Sequence, residues 1–460
     1  LIKILKYIGE KGVKMAQQDF TKGNIFKQLL LFSTPIMLTN LLQVSYQFID
    51  SLWVGNLLGA NALGAVAISG TVIFTVLSFI IGINNAALTI LSQQKGGDQA
   101  EGLKRYLNAF TVIQTILSVV LGIAGFLLAE RILAFMGTPA VMAGEAASYL
   151  QINFIGILFL FGYNFIGTVL RALGDSKSPL YFVLIAVVLN AILDPLFISV
   201  FQLGIDGAAY ATILSQGVAF MIGMIFILRK KLAPFTIPSW PHKEEAVLIF
   251  KLGIPSGLQM TVISAGVMAI MSVVTSFGSD VVAGFGAAQR IDSIIMLPAM
   301  ALGTAVNSMA GQNIGGNRWE RVHQIALYGV LYNLAIMFII ALGTFLFAEY
   351  GVHLFIQDKE SVHYGTEYLK IIAFFYPLLG INFVLNGVVR ASGAMFQVLI
   401  LNIISFWILR YPLTYLFSKY IGDKGIAAGM GISFGISSVI AFMYYRKGKW
   451  DKQIIFGEEE

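Results

Sequence analysis

Two aspartates of this chain lie inside stretches too apolar to carry a charge without a reason. Asp50 closes the run Leu41-Leu42-Gln43-Val44-Ser45-Tyr46-Gln47-Phe48-Ile49-Asp50, and Asp194 lies in Val187-Val188-Leu189-Asn190-Ala191-Ile192-Leu193-Asp194-Pro195. A charge at membrane depth costs on the order of 3 kcal/mol on insertion scales, so each invites a functional reading. Gln43, Tyr46 and Asp50 follow at intervals of three and four, which puts them on one face of a helix. Asn190 and Asp194, four apart, share a face of another. Carboxylates, an amide and a hydroxyl together suit a hard monovalent cation such as sodium. They suit a proton equally, because burial and a second nearby acid both favour the protonated form of a carboxyl group. Pro195 weakens the helix beside Asp194 and leaves a carbonyl free for a cation. Asp50 taken alone also fits an interfacial residue, since Gly55-Asn56 follows within two turns; the Asn190/Asp194 pair argues for a site. Thr212, in Gly207-Ala208-Ala209-Tyr210-Ala211-Thr212, is a fourth candidate. The small residues there let a helix approach its neighbours closely, although a threonine hydroxyl also satisfies itself on the carbonyl one turn back.

The elements that must hold these residues are spanning helices. Hydrophobic residues make up 57% of the 460, charged residues 12%, and the mean hydropathy is +0.80, which places the chain among polytopic membrane proteins. About twelve continuous apolar stretches reach the roughly 20 residues a spanning helix needs; alternation of the β-barrel kind is absent. All but seven of the 30 Lys and Arg fall on one side if both termini are cytoplasmic: Arg131, Lys359, Lys370, Lys419 and Lys424 are external, and Arg290 and Arg410 lie within spans. That asymmetry predicts cytoplasmic termini and explains the +6 net charge without nucleic acid. With no cysteine there is neither a disulfide framework nor a thiolate metal site. The basic stretch Leu1 to Lys14, without a cleavage site, reads as an extension ahead of Met15 rather than a signal peptide.

The chain repeats itself. Ser92-Gln93-Gln94-Lys95-Gly96-Gly97-Asp98 returns 219 residues later as Gly311-Gln312-Asn313-Ile314-Gly315-Gly316-Asn317, and Val169-Leu170-Arg171-Ala172-Leu173-Gly174 returns as Val388-Val389-Arg390-Ala391-Ser392-Gly393. The Gly-Gly segments read as interfacial turns; a phosphate loop would need a Gly-Lys-Ser/Thr run. Prolines recur in matching places too, Pro35 with Pro255 and Pro195 with Pro412, predicting bends common to both copies; Pro298 and Pro377 add further bends. Six crossings return a chain to its starting side, so the copies are parallel repeats about an axis along the membrane normal, with a site between or within them. The predicted fold is an all-α polytopic membrane protein of twelve transmembrane helices in two parallel six-helix bundles around a central cavity. Its parts are an N-terminal cytoplasmic segment (1–24), the first bundle (25–228), a polar, Pro-rich linker (229–245), the second bundle (246–446) and a cytoplasmic tail (447–460).

The first-span Asp50, the Asn190-x-x-x-Asp194-Pro195 segment, Gly207-Ala208-Ala209 and the duplicated turns, in that order over residues 20–446, resemble the multidrug and toxic compound extrusion (MATE) family. Among its branches the chain is most similar to the prokaryotic one named for the DNA-damage-inducible F protein. The resemblance implies a cation-coupled antiporter of the bacterial or archaeal inner membrane that exports cationic or amphipathic drugs in exchange for protons or sodium. It implies a coupling site at Asp50, Asn190, Asp194 and Thr212, and a substrate cavity touching Gln43, Tyr46 and Asn164. It implies no cofactor, no metal beyond a possible sodium at the coupling site, no nucleic-acid partner, and a working monomer in the lipid bilayer. Another branch uses acids in the seventh and tenth spans. Residues 256–277 hold none, and Lys370 is the only charge between Glu367 and Val389, which weighs against coupling through the second bundle.

Arg290, Asp292 and Arg410 are the charges at depth in the second copy, and Arg410 is expected to neutralise Asp292 from a neighbouring helix. Met and Phe (16 and 35 of them) can line an adaptable apolar cavity. The rival reading is a flippase for lipids or lipid-linked saccharides of the same superfamily, which would need inward-facing Arg or Lys for a phosphate head group. An intramembrane protease is not indicated: no His-Glu-x-x-His helix or Gly-x-Gly-Asp segment is present, and His242, His323, His353 and His363 lack metal-ligand spacing.

Overall fold

The computed structural model describes residues 17–452 and 455–456; the basic stretch from Leu1 to Lys14 lies outside the described residues. Sixteen α-helices account for the spans. The first half contains α1 (Ile25–Leu58), α2 (Ala60–Gly96), α3 (Ala100–Phe135), α4 (Ala140–Ile155), α5 (Ile157–Ala172), α6 (Lys177–Pro195) and α7 (Gly204–Lys230). The second contains α8 (Lys243–Thr275), α9 (Ser279–Ile295), α10 (Leu297–Gly315), α11 (Trp319–His353), α12 (Lys359–Ala373), α13 (Tyr376–Ala391), α14 (Met395–Ile403), α15 (Tyr411–Ile421) and α16 (Lys424–Lys447). Ten helices, or runs of consecutive helices, are long and apolar enough to cross a membrane, and the bent pairs α4–α5 and α12–α13 bring the spans to twelve. The protein is an all-α multi-pass membrane protein.

The two sharpest breaks fall at equivalent places in the two copies, at Gly156 (51°) and around Phe374–Phe375 (55°). Gly156 and Phe375 are 219 apart, so the bend belongs to the repeated unit. The second precedes Pro377, which occupies the first turn of α13, a position a proline tolerates. The first involves no proline. The helices run on through Pro35 and Pro255, so proline alone did not locate the principal bends. At the second matched proline pair the expectation of local disruption holds: a π-helical turn, Leu196–Val200, follows Pro195, and another, Ile404–Arg410, precedes Pro412. Such wide turns leave backbone groups off the regular ladder.

Packing divides the molecule into two faces. At one, which carries the Gly96-Gly97 and Gly315-Gly316 turns, the buried clusters mix the halves. Phe20, Ile25, Leu29 and Phe32 pack with Ala305, Met309, Val322 and Val388, and Leu88, Leu91 and Leu170 pack with Ile249, Leu252 and Met395. At the far face each half has a cluster of its own, around Val54, Leu133, Phe161 and Ile205 in the first and Ile270, Phe285, Val352 and Phe434 in the second. The halves are therefore joined at the turn face and parted at the far face.

The turns themselves explain their glycines. A Cβ on Gly96 would overlap the Gln312 carbonyl, and one on Gly315 would overlap the Gln93 carbonyl. The two α-helix ends cross at backbone contact, and only residues without side chains fit there. Their role is to dock the halves, which goes beyond the helix reversal that sequence suggested.

Candidate functional site

Asp50 stands about two turns before the far-face end of α1 at Leu58, and α6, which carries Asn190 and Asp194, packs against α1. Asn190 and Asp194 are fully buried and Asp50 is 7% exposed. Asn190 Nδ2 donates to Asp194 Oδ1 at 2.9 Å, the pairing that four-residue spacing on one helix face permits. The Asp50 and Asp194 carboxyl groups lie within hydrogen-bonding reach of one another. Two like charges at that separation, out of water, cannot both stand uncompensated.

The neighbouring helix closes the chamber. Gly207 lies against the backbone of Phe197 and Ile198 in the π-helical turn, where a Cβ would overlap, and Ala208, Ala209 and Ala211 are fully buried. The small residues bring α7 onto the turn that follows Asp194, which carries Thr212 into the same chamber. Tyr46, one turn before Asp50 on α1, places its hydroxyl near that of Thr212, although neither hydroxyl meets hydrogen-bond geometry with any partner.

Five buried oxygens here have no hydrogen-bond partner in the protein: Tyr46 Oη, Asp50 Oδ1, Asn190 Oδ1, Asp194 Oδ2 and Thr212 Oγ1. Leaving a buried polar atom unpaired costs about 1–3 kcal/mol, and a group of five demands an explanation. The atoms are all oxygens, two of them from acids. Such a donor set matches a hard cation of single charge, or protons shared between the carboxyls. Among the described residues no group of three or more His, Cys, Asp or Glu is placed to hold a metal ion.

Of the sequence candidates, the structure gathers Asp50, Asn190, Asp194, Thr212 and Tyr46. The other two, Gln43 and Asn164, were expected at the substrate cavity rather than at the ion. Gln43 is exposed on α1, and Asn164 donates to the Leu160 carbonyl of its own helix at 2.8 Å. Two tyrosines were not anticipated. Tyr149 lies in electrostatic reach of Asp50, Asp194 and Tyr46, and Tyr163 in reach of Tyr46. The repeat carried a signal for the first of them, because Tyr149 and Tyr368 are 219 apart and each faces the buried acid of its half.

The second half corrects one expectation. Asp292 and Arg410 form no ion pair. Asp292 accepts hydrogen bonds from the hydroxyls of Tyr368, at 3.1 Å, and Tyr376. Arg410 instead lies over the rings of Phe406 and Phe434, 3.7 and 4.5 Å from their centroids, with Nη2 unpartnered. Two tyrosine donors already satisfy the acid, and the guanidinium finds aromatic faces on its own and the adjoining helix. Burying this cation costs several kcal/mol, whereas a desolvated cation–π contact returns about 2 kcal/mol. Arg410→Met should therefore leave the thermal midpoint in detergent unchanged or higher; a fall of several degrees would contradict this reading.

Comparison with known proteins bears on what such a chamber serves. The family model MatE matches residues 35–196 and again 255–416, two matches separated by the repeat distance. The chain is 62% identical over 445 residues to the probable multidrug resistance protein YpnP of Bacillus subtilis, covering 97% of this chain and all of that one. It is 24% identical over 438 residues to the multidrug export protein MepA of Staphylococcus aureus, covering 92% and 94%. Among solved structures it is similar to the Vibrio cholerae MATE transporter VcmN, with a TM-score of 0.89 at 23% identity, covering 94% and 98%. A MATE family multidrug resistance transporter in its outward-facing conformation matches at 0.88 and 23%, covering 96% and 98%.

Proposed function

The chain belongs to the MatE family of membrane transporters, and from that premise we propose that it is a secondary active multidrug exporter. It exchanges cationic or amphipathic organic compounds for protons or sodium across the cell membrane. The coupling ion occupies the chamber of Asp50, Asn190, Asp194, Thr212 and Tyr46. The observation that carries this reading is the set of five unpartnered buried oxygens. The positive-inside distribution makes the turn face and both termini cytoplasmic, so the far face is external and the parted halves correspond to an outward-open state. The domain boundaries follow the repeat: bundles at 25–228 and 246–446, with short segments before, between and after. The bundles rock about their shared turn-face packing, and one copy of the chain suffices.

Coupling requires that the ion bind the two states with different affinity. With the far face open, an ion entering from outside pays little to reach the acids and satisfies the orphaned oxygens. Its binding removes the repulsion between Asp50 and Asp194, which lets α1 and α6 pack more closely and alters the wall that holds the drug. Ion and drug thereby oppose each other without sharing atoms. A flippase would need a cation at depth free to meet phosphate; Arg410 is buried between two phenylalanine rings, which leaves exposed Arg290, beside the Phe355 ring, as the one basic residue at depth that could serve it.

The test is ethidium efflux from proteoliposomes with a proton gradient and a sodium gradient imposed separately. Uphill ethidium movement should follow at least one gradient. Movement under neither, with correctly inserted protein, would overturn the proposal.

A further inference from the structure

The segments just before the two Gly-Gly turns connect the halves in matched pairs. Gln93 Nε2 donates to the Ala391 carbonyl at 2.6 Å, and Gln312 Nε2 donates to the Ala172 carbonyl at 2.9 Å. One turn back, Thr89 Oγ1 donates to the Arg390 carbonyl at 3.3 Å and Ser308 Oγ to the Arg171 carbonyl at 2.7 Å. Each donor and acceptor has its equivalent 219 positions away. All four donor residues are buried, so the clasp is a dry, two-fold set of bonds closing the turn face.

The residues ahead of α1 add a tie to one side of it. Gln312 Oε1, on the same amide that holds Ala172, accepts from the Phe20 N–H at 3.1 Å. The Phe20 carbonyl in turn accepts from Asn313 Nδ2 at 3.0 Å and Arg321 Nη2 at 2.9 Å. Arg318 Nη1 donates to the Thr21 carbonyl at 2.8 Å and Arg321 Nη1 to that of Gly23 at 3.1 Å. At the other end the Gln18 N–H donates to the Gly174 carbonyl at 3.1 Å, and the Gln17 amide donates to the Leu232 carbonyl. Residues 17–23 thus run as a strap from Gly174, two residues beyond Ala172, to Gln312 and Asn313 in the other half. Phe20 pins it, fully buried and edge-on to Phe32 at 4.7 Å.

We propose that Gln312 and the strap formed by residues 17–23 are the latch of the turn-face gate, and that the strap must let go of one half before this face opens. The inference rests on the alternating-access reading above. Parting Gln312 from Ala172 necessarily moves the strap's two anchor points apart. A segment of seven residues held at both ends cannot follow that motion without losing the bonds at one of them. Gln93 and Gln312 are equal by symmetry in the clasp but unequal in the latch, since only Gln312 also holds the strap. A purely architectural clasp would make them equal.

The chain has no cysteine, so full-length protein labels without a background. Spin labels at Glu101→Cys and Glu320→Cys, exposed and equivalent positions on the two halves, report the separation of the turn face by pulsed electron resonance in nanodiscs. Arg318→Ala with Arg321→Ala removes the arginine bonds to the Phe20, Thr21 and Gly23 carbonyls, loosening the strap while the clasp stays intact; Gln93→Ala and Gln312→Ala each remove one clasp bond, and Gln312→Ala also the bond from the Phe20 N–H. Losing these charge-assisted bonds should raise the long-distance population roughly tenfold in the double arginine variant, and Gln312→Ala should open the face more than Gln93→Ala. Parent-like distances in the arginine variant, or equal distributions for the two glutamine variants, would overturn the latch. Should Gln312→Ala fail to fold, the arginine arm decides alone. These distances are read without transport, so a failed efflux assay leaves the result standing and a failed latch leaves the efflux proposal untouched.

Discussion

Asp50→Asn should abolish drug resistance and ethidium efflux in cells while the protein still inserts and elutes as a folded species. The substitution keeps the size and hydrogen-bonding ability of the side chain and removes its capacity to take or lose a proton. Asp50 Oδ1 is one of five buried oxygens without a partner, so the neutral amide removes one of two negative charges that would face the ion. Breaking a buried charge interaction costs on the order of 3 kcal/mol, roughly a hundredfold in ion affinity. Folding should suffer little, because an amide is cheaper to bury than an acid and its NH2 can donate to the orphaned oxygens beside it. Normal efflux by this variant would remove Asp50 from the mechanism. Loss of folded protein would instead give the residue a structural role.

Asp194→Asn should act differently. Asp194 Oδ1 accepts from Asn190, and an asparagine oxygen can keep that bond, so the α6 face survives. What disappears is the second charge and with it the repulsion that makes an empty chamber unstable. The packing of α1 against α6 should then no longer depend on the ion. Substrate affinity should stay within about threefold of the parent, whereas the dependence of efflux on the imposed gradient should flatten by about tenfold or more, the size of a coupling energy near 1.4 kcal/mol. Binding by fluorescence polarisation and efflux under graded pH or sodium separate the two quantities. Unchanged ion dependence would contradict the assignment.

Much of this was legible from the chain itself, for identifiable reasons. Apolar runs long enough to span a bilayer fix element type almost without ambiguity, because lipid leaves the backbone no alternative to the helix. A repeat of 219 residues is a statement about topology, and it also marked the equivalent Gly-Gly turns. Asp50 and the Asn190/Asp194 pair stood out because charge at depth is expensive. Less legible were features decided by packing between distant segments. Gly156 carries a bend with no proline to announce it. Asp292 and Arg410 are opposite charges in one bundle, yet each found aromatic partners, tyrosine hydroxyls for one and phenylalanine faces for the other. Nothing in a single sequence reports which of several near neighbours a side chain will meet.

The claim beneath the whole account is that the acids of α1 and α6 hold an ion which the drug's arrival expels. Purified protein in weakly buffered detergent, loaded with radioactive sodium and given saturating ethidium, reports this directly as sodium displaced and protons released. The wild type should release one or the other, and the Asp50→Asn/Asp194→Asn protein neither. No release from the wild type while ethidium binds, or undiminished release from the double variant, would contradict it.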